Sequence, residues 1–190
     1  MKLLVIYGTT KGQTKKIADR IGQALRERGD EVDVVDGRSI PADLDLARYG
    51  GAVIGASVIA GRFQPYIVDF VKAHRDQLRR MPSAFFSVSL TEADPKKRAR
   101  AMVTVERFQK ETGWEPGAIA SFAGSIAYLR FRWLMRLIWR RVPLPDRRRS
   151  DGSRRLTDNG YEYTDWDAVA RFASVFARAA HAAQPTAVAV

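Results

Sequence analysis

Short runs of apolar residues alternate along the chain with segments in which apolar residues recur at helical spacing. The runs predict strands buried on both faces of a sheet, at residues 2–7, 31–36, 52–56, 83–90 and 119–123. The segments between them predict helices with one inward face. The inward residues are Ile17, Ala18, Ile21, Ala24 and Leu25; Ile67, Phe70 and Val71; Ala101, Met102, Val105 and Phe108; and Trp166, Val169, Ala170, Ala173, Phe176, Ala177 and Ala180. Thr164 is the predicted N-cap of the last helix, with Asp167 three residues later.

Five strands separated by helices predict an α/β fold, a five-stranded parallel, doubly wound sheet with helices on both faces. Residues 1–190 form a single domain in this interpretation, and 46% hydrophobic residues are enough to build its core. Residues 125–160 interrupt the alternation. We interpret them as a basic, partly helical insertion before the last helix.

The loop that leaves the first strand is the first candidate for chemistry. Residues 8–14 read Gly-Thr-Thr-Lys-Gly-Gln-Thr and open a helix that begins near Gln13. Open α/β sheets bind ligands at the carboxyl ends of their strands, and small residues, threonine hydroxyls and a helix N-terminus suit a monophosphate. The loop has neither the Walker pattern nor the Gly-x-Gly-x-x-Gly dinucleotide pattern. A helix cap without any ligand is the alternative.

This loop resembles the phosphate loop of the flavodoxin family, which holds the phosphate of FMN. The resemblance assigns the phosphate to Thr9, Thr10, Lys11, Gly12, Gln13 and Thr14, with Lys11 in place of the usual threonine. It assigns the isoalloxazine ring to Ser57, Val58, Ile59, Ala60 and Gly61 after the third strand, and to Ser87, Val88, Ser89 and Leu90 after the fourth. Neither stretch carries the aromatic residue that many flavodoxins stack on the ring, and Phe63 is the nearest one. Core packing is the alternative for Val58 and Ile59.

A closer resemblance is to one branch of the family, the flavodoxin-like protoporphyrinogen oxidases of bacteria (menaquinone-dependent protoporphyrinogen IX dehydrogenases). The matching stretches are residues 11–14, 53–57, 70–72, 81–85 and 163–166. The resemblance implies an FMN enzyme that oxidises protoporphyrinogen IX to protoporphyrin IX in haem biosynthesis and passes electrons to a membrane quinone. The cofactor carries such chemistry, and the sequence nominates no catalytic side chain. A flavodoxin-like electron carrier or quinone reductase with a different substrate is the alternative function.

Most of the positive charge lies in the insertion. The net charge is +11, and residues 130–155 contribute +8 of it, with ten arginines against two aspartates. A helix over residues 127–142 would carry an apolar face beside an arginine face, which is typical of a helix lying in a membrane interface. The residues predicted to contact a membrane or the substrate are Arg130, Phe131, Arg132, Trp133, Arg136, Trp139 and Arg140.

Two other interpretations of this segment stay open. Its apolar face can pack on the domain, with the arginines in solvent. Arginines with interleaved aromatic residues also suit single-stranded nucleic acid, which would make the chain a membrane- or nucleic-acid-binding module on a flavodoxin scaffold. The absence of a recognised nucleic-acid motif disfavours a nucleic-acid partner. An oligomer is compatible with the sequence.

The amino-acid composition excludes several other kinds of functional site. The chain has no cysteine and only two histidines, so we expect no disulfide, no cysteine nucleophile and no metal site. His74 and His181 are expected to be ordinary surface residues. The first residues lack a secretory-signal pattern, and no apolar run approaches the about 20 residues that span a bilayer. We therefore expect a cytoplasmic protein bound peripherally to the inner face of the cell membrane.

Overall fold

The main sheet has five parallel strands in the order β2-β1-β3-β4-β5. It is seen in a computed structural model that describes residues 1–89, 98–127, 155–157 and 160–183. The strands are β1 (Lys2–Gly8), β2 (Glu31–Asp36), β3 (Gly51–Ser57), β4 (Ser83–Ser89) and β5 (Ala118–Ala123). The flanking helices are α1 (Gln13–Arg26), α2 (Pro65–Arg80), α3 (Arg98–Thr112) and α4 (Trp166–Ala182), and a short 3-10 helix covers Leu46–Arg48. The predicted α/β class and parallel sheet are confirmed.

Alternate residues of each central strand face opposite sides of the sheet, as the period of a strand requires. In β1, Leu3 and Val5 pack with α1 and α4, whereas Leu4 and Ile6 pack with α2 and α3. The central strands β1, β3 and β4 are therefore buried on both faces, which explains why they contain few polar residues, whereas the edge strand β2 alternates acidic residues with valines.

The inward face of α3 is narrower than predicted. Val105 and Phe108 are buried, and the ring of Phe108 stacks on Phe85 with centroids 4.7 Å apart. Met102 is 46% exposed, so its predicted place on the inner face is wrong. At 3.6 residues per turn, Met102 lies about 120° around the helix from Phe108, which turns it out of the buried face.

The N-cap of α4 also differs from the prediction. Asp165 is the capping residue, and its Oδ1 accepts a hydrogen bond from the Ala168 N–H at 2.9 Å. Thr164, the predicted cap, donates instead to the carbonyl of Ala123 at 2.8 Å, so its hydroxyl is directed back toward the sheet. The prediction of Thr164 as N-cap was wrong by one residue.

The two ends of the insertion meet in a small antiparallel sheet that the sequence did not predict. Its strands are β6 (Ser125–Ala127), β7 (Arg155–Thr157) and β8 (Gly160–Glu162), in the order β6-β8-β7. Ala127, where the predicted helix was to begin, ends β6. The rest of that helix, including the predicted contact residues from Arg130 to Arg140, lies outside the described residues. Among the residues that are described, no helix is long and apolar enough to cross a bilayer.

The strand order creates a crevice at one edge of the main sheet. The chain winds from β1 to β2 on one side and from β3 to β5 on the other, so the direction reverses between β1 and β3. Parallel register aligns Gly8 with Ala56, Ser57 with Val88, and Ser89 with Ala123. The loops that leave these strands therefore share one edge, which is where ligands bind in open α/β sheets.

Candidate functional site

The loop after β1 is shaped to expose its backbone. Gly12, the residue before α1, has φ of +88°, a left-handed conformation that glycine adopts without steric cost. A Cβ at Gly12 would meet no other atom within 4 Å. The Gly12 N–H donates to Thr9 Oγ1 at 2.9 Å, which closes the loop on itself. The open space beside the N-terminus of α1 suits an anion.

Thr14 supplies an independent sign of a ligand. Its side chain lies in the first turn of α1, only 1% exposed, and its Oγ1 has no hydrogen-bond partner among the residues that the structure describes. A buried polar group without a partner costs about 1–3 kcal/mol. An acceptor from outside the chain would remove that cost. The phosphate of FMN offers acidic oxygens of this kind, so the residues present fit the group.

Long-range contacts brace the loop from two sides. Gln13 Nε2 donates to Thr164 Oγ1 at 2.8 Å, and Thr164 donates in turn to the carbonyl of Ala123. This chain of hydrogen bonds joins the start of α1 to the start of α4 and the end of β5. Arg38, two residues beyond β2, donates from Nη2 to the carbonyl of Thr9. The sequence did not identify Arg38 or Thr164 as part of the site. Arg38 follows β2, whose end lies at this edge, and Thr164 reaches the edge through its hydrogen bond to Ala123 at the end of β5.

The loop after β3 is a tight turn that carries an exposed side chain. The backbone N–H of Ile59 donates to Arg62 at 2.9 Å, and that of Arg62 donates to Ile59 at 3.0 Å. Ala60 and Gly61, between them, have φ of 49° and 75°. Ile59 is 45% exposed, so core packing is wrong for Ile59, whereas the half-buried Val58 does pack against the core.

Phe63, the aromatic residue nearest to this turn, faces away from the crevice. It is 8% exposed, and its ring packs edge-on against Phe85 and Phe108 with centroids 5.3 and 5.1 Å away. Phe63 therefore belongs to the core between α2 and α3. The described part of the β3 loop presents aliphatic side chains and backbone to a ligand.

Of the last three side chains of β4, two belong to the core and one belongs to the candidate site. Ser87 is fully buried and exchanges a hydrogen bond of 2.8 Å with Ser121 of β5, while Val88 packs in the core. These two side chains are therefore committed to the fold. Ser89 is 4% exposed, and its Oγ has no partner in the described part of the chain, so it is a second buried hydroxyl that a ligand would satisfy. Leu90, the last predicted contact, lies outside the described residues.

Gln64 is a further residue of the site that the sequence did not suggest. Its Nε2 donates to Thr10 Oγ1 at 3.3 Å and to Ser57 Oγ. Thr10 belongs to the loop after β1, and Ser57 ends β3. The contact with Thr10 spans 54 positions of sequence, and no local sequence pattern around Gln64 predicts it.

Both histidines are held in contacts away from this crevice. His74 donates from Nδ1 to the carbonyl of Phe70 at 2.9 Å within α2 and stacks on the Phe70 ring. His181 hydrogen-bonds Asp30 at 2.9 Å near the end of α4. In the described part of the chain, no group of three histidines or carboxylates is arranged to hold a metal ion.

Comparison with known sequences gives a consistent set of relatives. A family model described as flavodoxin domain matches residues 4–151. A protein of Leishmania major named protoporphyrinogen IX dehydrogenase [quinone] is 36% identical over 181 residues, which is 93% of this chain and 74% of the relative. A protein of the same name from Escherichia coli strain K12 is 34% identical over 174 residues, 91% of this chain and 93% of the relative.

Solved structures with the same fold are more distant in sequence. Oxidised flavodoxin 1 from Bacillus cereus superposes with a TM-score of 0.56 at 19% identity, covering 94% of this chain and 98% of the other. A flavodoxin from the domain Archaea has a TM-score of 0.56 at 16% identity, covering 95% and 99%. At these identities the likeness establishes the fold.

Proposed function

Since the chain belongs to the flavodoxin family, and within it to the family of quinone-linked protoporphyrinogen IX dehydrogenases, we propose that it binds FMN and oxidises protoporphyrinogen IX to protoporphyrin IX. In this proposal a membrane quinone accepts the electrons. The substrate and the acceptor come from the names of the relatives, and the cofactor comes from the family and from the site.

The unpartnered hydroxyl of Thr14 is the observation that carries the cofactor assignment. It lies under the glycine-rich loop, at the N-terminus of α1 and beside the crevice between β1 and β3. In a helix cap that binds no ligand, a buried threonine hydroxyl is expected to have a hydrogen-bond partner within the protein. A phosphate ester satisfies this hydroxyl and the exposed N–H groups together.

The residues of the chain bind and orient in this proposal. The flavin, when bound, would supply two-electron oxidation, and three such rounds, each ending with an electron pair on quinone, make up the six-electron oxidation of the porphyrinogen to the porphyrin. Thr9, Thr10, Gly12 and Thr14 would hold the phosphate. The turn at Ile59 and the end of β4 at Ser89 would border the ring. Arg38, which hydrogen-bonds the carbonyl of Thr9, adds a positive charge near the phosphate loop.

An anaerobic assay tests the redox assignment. The purified protein is mixed with protoporphyrinogen IX and a soluble quinone, and porphyrin fluorescence is followed in the absence of oxygen. We expect fluorescence to develop only when protein and quinone are both present. A yellow, flavin-loaded protein that reduces quinone with another donor but forms no porphyrin would support the alternative of an electron carrier or a quinone reductase with a different substrate.

We further propose that the insertion binds the protein to the anionic inner face of the cell membrane. Residues 130–155 carry a net charge of +8 and three tryptophan or phenylalanine side chains. A basic residue near an anionic surface contributes about 1 kcal/mol, so several together support binding. The quinone is dissolved in that bilayer, and a membrane-bound enzyme would meet it there.

A further inference from the structure

Gln64 links the two loops that the proposed cofactor would contact. It occupies the N-cap position of α2, but its side chain makes no cap hydrogen bond. Its backbone carbonyl accepts from the N–H groups of Ile67 and Val68 at 3.0 and 3.2 Å, which fixes the residue to the first turn of the helix. The carboxamide is therefore free to reach across to Thr10 and Ser57.

The carboxamide of Gln64 is held in a closed space. The residue is 7% exposed, and it lies against Gly8, the last residue of β1. A Cβ at Gly8 would stand 2.9 Å from Gln64 Oε1 and 2.5 Å from Ile67 Cγ1, so a larger residue at Gly8 would displace both. Because residue 8 is glycine, there is space for the Gln64 carboxamide at the edge of the crevice.

The count of hydrogens determines which way the two hydroxyls donate. An amide –NH₂ has two hydrogens, and a hydroxyl has one. Gln64 Nε2 uses its hydrogens on the oxygens of Thr10 and Ser57, so each of these hydroxyls is an acceptor toward Gln64. Each keeps its own hydrogen, and no residue of the described ranges accepts either of them.

We infer that Gln64 is a positioning residue that turns the hydroxyls of Thr10 and Ser57 into donors toward the ligand and so favours a phosphorylated flavin over one without phosphate. The inference rests on the proposed binding of FMN and deepens it. A phosphate dianion only accepts hydrogen bonds, whereas a freely rotating hydroxyl could present either its hydrogen or its lone pairs. The Gly12 N–H orients Thr9 in the same sense.

Gln64→Glu is the sharpest test, because it keeps the shape of the side chain and reverses its polarity. An ionised carboxylate only accepts, so Thr10 and Ser57 would donate to it, and Thr10 would turn its lone pairs toward the phosphate. We expect FMN to bind roughly 10- to 100-fold more weakly, the range for a lost hydrogen bond to a charged group. Riboflavin, which lacks the phosphate, should lose much less. Both affinities are measured by quenching of flavin fluorescence on the full-length protein freed of flavin.

A control variant accounts for the change in the net charge of the protein, and the cycle described next tests the hydrogen-bond route without any added charge. Gln77 lies exposed in the last turn of α2, the helix that Gln64 precedes. Gln77→Glu makes the same chemical change on the same helix, away from the crevice. We expect it to leave the affinities for FMN and riboflavin unchanged.

A double-mutant cycle tests the route of the effect without burying a charge. Gln64→Met and Thr10→Val are made singly and together, and FMN affinity is measured for all four proteins. If Gln64 acts through Thr10, Gln64→Met weakens FMN binding less when residue 10 is already valine. If Gln64→Glu fails to fold, the cycle alone tests whether Gln64 acts through Thr10.

Two results would overturn the inference and leave FMN binding itself intact. One is an equal loss of FMN and riboflavin affinity in Gln64→Glu, and the other is strict additivity in the cycle. Failure of the unmodified protein to bind FMN would instead overturn the proposed function.

Discussion

At the scale of single residues, the crevice is distinguished by hydroxyl groups whose hydrogen bonds are incomplete within the described chain. Thr14 and Ser89 are buried and have no partner. Thr112, equally buried on α3, donates to the carbonyl of Phe108 at 2.8 Å and accepts from the Trp114 N–H at 3.3 Å. Because buried polar groups are nearly always paired, the unpaired hydroxyls on the loops of this crevice are candidate ligand contacts, whereas Asp30 Oδ2, which also has no partner among the described residues, lies beside the N-terminal amine of Met1.

Thr14→Val is predicted to separate stability from binding. The valine removes a hydroxyl that has no partner, so the flavin-free protein should be as stable as before or more stable. FMN affinity should fall by about 1.5–3 kcal/mol, the value of a hydrogen bond to a charged group. Urea unfolding and fluorescence titration measure the two quantities.

Thr112→Val is the control for that prediction. It breaks hydrogen bonds that are made inside the fold, so it should lower the free energy of unfolding by about 1 kcal/mol and leave FMN affinity unchanged. If Thr14→Val behaves like Thr112→Val, destabilising the protein with no effect on FMN, the phosphate assignment is wrong.

Ala60, in the turn after β3, has a backbone conformation that is unfavourable for a residue with a Cβ. It has φ of 49°, in the left-handed region, where a Cβ costs about 1–2 kcal/mol. We predict that Ala60→Gly raises the free energy of unfolding by about 1 kcal/mol. Its neighbour Gly61, at φ of 75° with open space around a Cβ, is the matched case. Gly61→Ala should destabilise by a similar amount, and destabilisation by Ala60→Gly would contradict the assigned turn.

Without the family resemblance, the sequence predicts only those site residues whose partners are close along the chain. The loop at residues 8–14 was recognisable because its glycines, threonines and helix start are contiguous. Gln64 and Arg38 were missed, since their contacts with Thr10 and Thr9 span 54 and 29 positions. Both residue types are ordinary on a protein surface, and only the folded sheet brings them to the loop.

At the scale of elements, the ends of helices and strands decide which polar groups face the crevice. Thr164 and Asp165 are both good capping residues, so sequence cannot choose between them. In the structure Asp165 is the cap, because the Thr164 hydroxyl instead accepts from Gln13 and donates to the carbonyl of Ala123. Strand and helix positions followed from apolar spacing alone, whereas the small sheet of β6, β7 and β8 has strands too short to show a pattern.

The edge strand β2 is tied down by a charged cluster that makes stability depend on pH. Asp33 accepts a hydrogen bond from the Tyr49 hydroxyl at 2.7 Å and pairs with Lys2 at 3.2 Å. The Tyr49 hydrogen bond is the largest cause that holds the pKa of Asp33 below its ordinary value, with Lys2 adding to it and burial opposing it. A lowered pKa in the folded state stabilises the protein above the pKa of the unfolded chain, about 3.9. That contribution is lost as the pH falls through the lower, folded pKa.

Tyr49→Phe is therefore predicted to raise the pKa of Asp33 and to destabilise the protein more at neutral pH than at pH values below the folded pKa. An NMR titration of the Asp33 carboxyl carbon and urea unfolding across this pH range measure both effects. Asp76, whose pKa is lowered by its neighbour Arg75, is the internal control and should titrate unchanged. A stability loss that is independent of pH would show that Tyr49 acts through packing alone.

At the scale of the whole molecule, charge and cofactor site are divided between different parts of the chain. Residues 130–155 hold +8 of the net +11, so the remaining residues are only mildly basic. Ala127 and Thr157 both pair with Gly160 of β8. The described residues on either side of the segment 128–154 therefore meet in one small sheet, whose strand β6 directly follows β5 along the chain. None of the residues assigned to the flavin lies in that segment, so its charge can be varied by substitution without changing any of them.

Replacing Arg132, Arg136 and Arg140 by glutamine is predicted to release the protein from anionic vesicles while FMN stays bound. At about 1 kcal/mol for each basic residue, the loss of three should weaken binding roughly 100-fold. Co-sedimentation with vesicles containing anionic lipid measures it, with neutral vesicles as the baseline and the absorbance of bound flavin as the check on the site. The charge-matched control replaces the exposed Arg28, Arg79 and Arg80 by glutamine, and it should still pellet. Equal pelleting of both variants would mean that the charge of the insertion serves something other than a lipid surface, and retention on single-stranded nucleic acid would then identify the rival partner.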